Sequence, residues 1–170
     1  RNIEGGVFSD MVFSHLKEKS LLRVEGPYGQ YALCENSKRP LIFIAGGTGF
    51  APIKSIIEHA LAETMERKIR LYWGARARRD LYLDELPRSW ERESEFIYIP
   101  VLSDPMPEDN WQGATGYVHD VALREIKDLS SYDIYASGPP AMVHAVHDAF
   151  ITRGMEPQNF YSDAFEYAKD

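Results

Sequence analysis

LIFIAGGTGFAPIK, residues 41–54, decides the fold. Leu41, Ile42, Phe43, Ile44 and Ala45 form an unbroken apolar run, the composition of a strand buried on both faces of a parallel sheet. Gly46, Gly47, Thr48 and Gly49 follow at once, and then a helical pattern begins with Pro52 in its first turn, where a missing N–H costs little. A strand, a glycine turn and a helix in succession present backbone N–H groups and the positive end of a helix dipole to an anion. Glycine lets a phosphate approach the backbone without meeting a Cβ. The stretch is not a P-loop, because Lys54-Ser55 lacks the preceding glycine, and the GxGxxG spacing is absent. On this pattern alone, an anion site and an ordinary strand–turn–helix corner both stay open.

Downstream, the same alternation repeats. Residues 69–73, 96–102, 133–136 and 159–161 read as strands. Residues 51–64, 80–90 (interrupted near Pro87), 118–126 and 141–152 read as helices. Five strands with crossover helices predict an α/β fold with a doubly wound five-stranded parallel sheet. Ligands of such sheets sit beyond the carboxyl ends of the strands, at the switch point. Residues 46–49, 74–76, 103–104 and 137–140 all follow strand ends, and four loops at one sheet edge say more than any one of them.

Upstream, residues 1–36 do not read as the start of an α/β domain. Val7, Met11, Val12 and Leu16 share one face of a short helix. Residues 21–24 suggest a strand, GPYG (26–29) a turn, and 31–34 a second short strand. These pieces carry too few apolar residues for a core and must lean on something else. Residues 35–40 are polar and end in proline, which places a domain boundary there and divides the chain into 1–38 and 39–170.

Composition narrows the function. The 170 residues are 44% apolar with a net charge of -7, which argues against nucleic acid and anionic membrane as partners. The single cysteine, Cys34, leaves no disulfide framework and no ligand set for zinc or an iron–sulfur cluster. It fits a reducing compartment, and a cytoplasmic location is the expectation. No apolar stretch approaches the roughly 20 residues needed to span a bilayer, and no signal-peptide pattern opens the chain. The chain starts at Arg1 without an initiator Met, as a fragment would. His144 and His147 are spaced i, i+3 on a helix, but no carboxylate or cysteine completes a metal set, so they read as surface residues. No GxSxG elbow supports hydrolysis.

Five motifs then occur in order: GGTGFAP (46–52), YWGAR (72–76), LSDP (102–105), GYV (116–118) and SGPPAM (137–142). Together they resemble the nicotinamide-binding half of the ferredoxin–NADP reductase superfamily, and most of all its NAD(P)H–flavin reductases, deoxyglucoseen reductases and oxygenase reductase components. GGVFS (5–9) and VEGPYGQY (24–31) are similar to the closing part of the flavin-binding β-barrel, and FYSDAF (160–165) to the aromatic terminus. The resemblance implies that 1–38 is the C-terminal remnant of a flavin-binding barrel and 39–170 an NAD(P)H-binding domain. The Arg-x-Tyr-Ser/Thr motif that holds the flavin in this family is absent, so the chain alone is expected to bind FAD poorly or not at all.

The same resemblance assigns roles. Gly46, Gly47, Thr48, Gly49 and Pro52 would receive the pyrophosphate at the helix N-terminus, with Thr48 near the nicotinamide. Arg76 would contact the adenosine-side phosphate or ribose through its planar fork. Ser103 and Asp104 would lie at the adenine ribose, where NADPH-preferring relatives tend to present an arginine. An aspartate there accepts from a ribose hydroxyl and repels a 2′-phosphate, so NADH is expected in preference to NADPH. Ser137, Gly138, Pro139 and Met142 would pass beneath the nicotinamide, with Ser137 where many members carry cysteine. Asp163 and Phe165 resemble the active-site carboxylate and the flavin-covering aromatic. Gly6 and Ser9 resemble the flavin-phosphate loop, and Ser9 reads equally as the N-cap of the first helix. The implied activity is a flavoprotein reductase that takes hydride from NADH. The implied acceptor is an iron–sulfur centre, an oxygenase component or free flavin; the alternative reading is a dinucleotide-binding module without catalysis in the isolated chain.

Overall fold

The computed structural model of the chain describes residues 5–26, 28–63, 67–93 and 95–163. Helices α1 (Val7–Asp10), α2 (Phe50–Ala62), α3 (Glu85–Glu93), α4 (Val118–Glu125) and α5 (Pro140–Thr152) accompany strands β1 (Leu41–Gly46), β2 (Ile69–Ala75), β3 (Phe96–Leu102), β4 (Ala114–Thr115), β5 (Asp133–Ser137) and β6 (Phe160–Ser162). The strands form one sheet in the order β4-β3-β2-β1-β5-β6, and every pairing is parallel. The five expected strands are all present. The sixth, β4, is two residues long at the sheet edge, too short to show any alternation in the sequence.

All six residues of β1 are buried because both faces are covered. Leu41, Phe43 and Ala45 pack with Leu71 and Trp73 of β2 against Phe50, Ile53 and Ile57 of α2 and Trp90 of α3. Ile42 and Ile44 pack with Tyr72 against Val118 and Val121 of α4 and Val143, Val146 and Phe150 of α5. The period of two in each strand thus feeds two separate cores, as a doubly wound sheet requires. Pro87 does not interrupt α3. The helix begins at Glu85, so the proline sits in the first turn, where no N–H is needed.

The upstream segment departs from expectation. Residues 21–24 and 31–34 are not strands, because no neighbouring strand is there to pair with them. Val7 is 89% exposed, Leu21 99% and Val24 89%, so this stretch buries no core of its own. The first helix is four α-helical residues followed by a wider π-turn, Met11–His15. Ser9 is not its cap. Gly6 holds that position, and the Ser9 hydroxyl donates back to the Gly6 carbonyl at 3.0 Å. The leaning that the sequence suggests is done by Tyr31 and Leu33, which pack on the β1–β5 side of the sheet.

The junction that follows is tied down at the amino end of the sheet. The buried Arg67 donates to the Asp133 carboxylate and to the carbonyls of Arg39 and Cys34, the last at 3.2 Å. The Cys34 N–H donates to the Tyr135 hydroxyl at 2.9 Å, and the Asp133 N–H to the Pro40 carbonyl at 3.0 Å. A guanidinium with three fixed donors meeting one carboxylate and two carbonyls is a satisfied buried charge rather than an isolated one.

Candidate dinucleotide-binding site

β1 and β5 are adjacent, yet the chain leaves β1 toward α2 on one face and β5 toward α5 on the other. The crevice at a switch point therefore opens between the loop 46–49 and the loop 137–139. These two loops touch through their glycines. A Cβ on Gly49 would lie 2.5 Å from the Gly138 nitrogen, and one on Gly138 would lie 3.0 Å from Gly46 backbone atoms. Pro139 and the Met142 side chain fill the space beside Gly46.

Gly47 behaves oppositely. Its φ is +52°, and a Cβ added there would meet nothing within 4 Å. The loop is thus packed shut beneath and open above, the shape a cradle for a backbone-bound anion needs. Gly47–Gly49 form a 3₁₀ turn that runs straight into α2, and no side chain caps either one. The helices α4 and α5 likewise begin without a side-chain cap. Uncapped first turns leave N–H groups and the positive dipole end available to a ligand.

The neighbouring loops extend the same rim. After β2 and β3, the Ser103 N–H donates to the Ala75 carbonyl at 2.9 Å and the Asp104 N–H to the Arg76 carbonyl at 3.0 Å. The Arg76 guanidinium faces the Asp104 carboxylate at 3.3 Å, and both side chains are exposed. Thr48, Arg76, Ser103 and Asp104 stand at the surface, whereas Ser137 is 2% exposed and donates its hydroxyl to Asp163 at 3.0 Å. Asp163 follows β6, whose register against β5 carries it alongside Ser137. Pro52 lies half-buried in the first turn of α2. Gly6 and Ser9 are brought to each other in α1. Phe165 lies outside the described residues.

Sequence reasoning passed over Trp73, at the carboxyl end of β2. Its ring stacks on Phe50 at 4.0 Å between centroids, and its Nε1–H donates to the Gly47 carbonyl at 3.0 Å. The indole therefore holds the glycine turn open from below. A tryptophan followed at once by glycine, at a strand's end, was the available signal.

The residues at the rim fit a dinucleotide: an open glycine turn, uncapped helix starts and polar groups spaced along one edge. They do not fit a flavin in the same way. Residues 5–38 contain no strand among the described residues and close no barrel.

The model of the oxidoreductase NAD-binding domain matches residues 43–148. The chain belongs to this family. It is thereby a member of the ferredoxin–NADP reductase superfamily. It is 40% identical over 170 residues to a CDP-6-deoxy-L-threo-D-glycero-4-hexulose-3-dehydrase reductase of Yersinia pestis, covering 99% of the chain and 50% of that protein. It is 37% identical to the reductase component 2 of terephthalate 1,2-dioxygenase of Comamonas sp, covering 97% of the chain and 49% of that protein. The solved structure of the Amycolatopsis reductase GcoB superposes with a TM-score of 0.81 at 34% identity, covering 96% of the chain and 50% of GcoB. The chain spans about half the length of the relatives it matches.

Proposed function

We propose that this chain is the dinucleotide-binding part of a flavin-dependent NAD(P)H reductase, and that residues 39–170 are the binding domain while 1–38 belong to a preceding flavin domain. The observation that carries the reading is the open Gly47 turn lodged against the 137–139 loop at the switch point. Gly47, Thr48 and Gly49, with Pro52 behind them, would hold the pyrophosphate at the start of α2. Ser137 to Pro139, backed by Met142, would support the nicotinamide, and Arg76, Ser103 and Asp104 the adenosine ribose. When bound, the dinucleotide would supply a hydride from its nicotinamide C4. The chain's own part is to hold that ring at a fixed place and to keep water from it. The exposed Val7, Phe8, Leu21 and Val24, set among residues 5–26 that bury no core of their own, support a covering partner for this stretch.

NADH is the favoured form. A 2′-phosphate at the ribose would meet the Asp104 carboxylate, and Arg76, the cation that would otherwise receive it, already faces that carboxylate. The acceptor is a redox protein or domain. The two relatives are named as reductases of a dehydrase and of a dioxygenase, which supports a partner protein as the acceptor.

The exposure of Val7, Phe8, Leu21 and Val24 favours a second reading for the isolated chain, a binding module without turnover. Adding FAD and NADH to this chain and to a version extended through the preceding domain separates them. The expected result is flavin bleaching by NADH in the extended protein alone. Failure of the extended protein to bleach would overturn the reductase reading.

A further inference from the structure

Tyr31 carries a hydroxyl that packing does not account for. Its ring meets Tyr135 edge-on, with centroids 6.1 Å apart, and Tyr135 in turn stacks on Tyr161 at 4.6 Å. The hydroxyl is buried and has no hydrogen-bond partner among the described residues. Leaving a buried hydroxyl unpaired is costly, and phenylalanine would fill the same place without that cost. The neighbouring polar groups on this face are those of the site. Tyr135 and Ser137 point the same way from β5, and Tyr161 and Asp163 lie beside them in register. Burial first, and the Asp163 charge second, hold the Tyr31 hydroxyl above its ordinary pKa, so it keeps its proton at neutral pH and feels that carboxylate.

Ser137 has one hydroxyl proton, and it is committed to Asp163 at 3.0 Å. It cannot also donate to an arriving ligand. A ligand that takes the Ser137 hydroxyl leaves the half-buried Asp163 carboxylate short of a donor, unless another is at hand.

We propose that Tyr31 is that second donor: the Asp163 carboxylate holds Ser137 in the free chain and turns to the Tyr31 hydroxyl when the nicotinamide end of a dinucleotide engages Ser137. Tyr31 is then a positioning residue, acting through Asp163. The inference rests on the dinucleotide reading given above and goes beyond it, because it assigns the exchange to one residue outside the binding loops.

The test is calorimetric titration of the chain with NADH and, separately, with ADP-ribose, which has the pyrophosphate and both riboses but no nicotinamide. Tyr31→Phe is expected to weaken NADH about three- to tenfold, the worth of one hydrogen bond, and to leave ADP-ribose unchanged. Its melting temperature should be equal or higher, because the orphaned hydroxyl is gone. On an Asp163→Asn background, where no charge needs a new partner, Tyr31→Phe should have no further effect on NADH. Unchanged NADH affinity in Tyr31→Phe would overturn the inference. So would an equal loss for both ligands, or a loss that persists on the Asp163→Asn background. Binding of neither ligand by the unmodified chain would instead overturn the dinucleotide reading, and this inference with it.

Discussion

Gly47 and Gly49 stand two residues apart and answer to opposite constraints. A side chain at Gly49 would drive into the backbone at Gly138, which has nowhere to go. Gly49→Ala is therefore expected to cost about 3 kcal/mol in urea denaturation, at the upper end for overpacking. A side chain at Gly47 meets open space, and its φ of +52° is one that asparagine tolerates. Gly47→Asn should cost only about 1 kcal/mol of stability yet lower NADH affinity more than about tenfold, because the side chain occupies the phosphate's place. Equal damage to stability from the two substitutions would contradict the open-cradle geometry. Asp104 gives the matching prediction for the far end of the ligand. Asp104→Ala should raise NADPH affinity relative to NADH by about fivefold or more, read by paired titrations, as removal of a repelling charge does. An unchanged ratio would remove Asp104 from cofactor choice.

Among the elements, the junction into β1 behaves as part of the domain rather than as a loose linker. Arg67 and Asp133 form an ion pair whose side chains are 5% and 2% exposed. Removing one partner leaves the other charge buried alone. Arg67→Met or Asp133→Leu alone should each cost about 3–5 kcal/mol, and the double variant should recover a large part of it. Additive losses would show that the pair is not coupled. This pair also marks where sequence reading stopped. β1, β2, β3 and β5 were legible because short, mostly apolar runs rich in β-branched and aromatic residues, ending at glycine or serine, suit covered strands. The switch point was legible because loops after those strands carry the glycines and polar residues. Arg67 was not legible. A lone arginine before a strand looks like a surface charge, and its partner lies 66 positions away. The strands expected at 21–24 and 31–34 failed for a related reason: a strand exists only by pairing, and local pattern does not say whether a partner is present.

At the scale of the molecule, two features stand apart. One is a set of buried tyrosines. Burial is the largest cause that raises the hydroxyls of Tyr31, Tyr72 and Tyr98, and it pushes that of Tyr135 up to about 12 from 10.0. A group whose folded pKa is raised keeps its full contribution below the unfolded value and loses it as pH climbs. The urea midpoint should therefore fall steeply between pH 10.0 and about 12, with the Tyr135 transition inside that window. A midpoint that holds constant through it would mean that these hydroxyls are not buried in solution. The other feature is the contrast between the two ends of the sheet. A hollow lined by Pro40, Arg70, Glu125, Lys127 and Tyr132 opens at the amino end, away from the glycine turn. The carboxyl rim carries the loops assigned to the dinucleotide. The most direct measurement is an amide chemical-shift titration of the isotope-labelled chain with NADH. The account predicts perturbations concentrated at 46–50, 75–76, 103–104 and 137–142. Perturbations centred on Arg70, Glu125 and Tyr132, with the glycine turn unmoved, would contradict it.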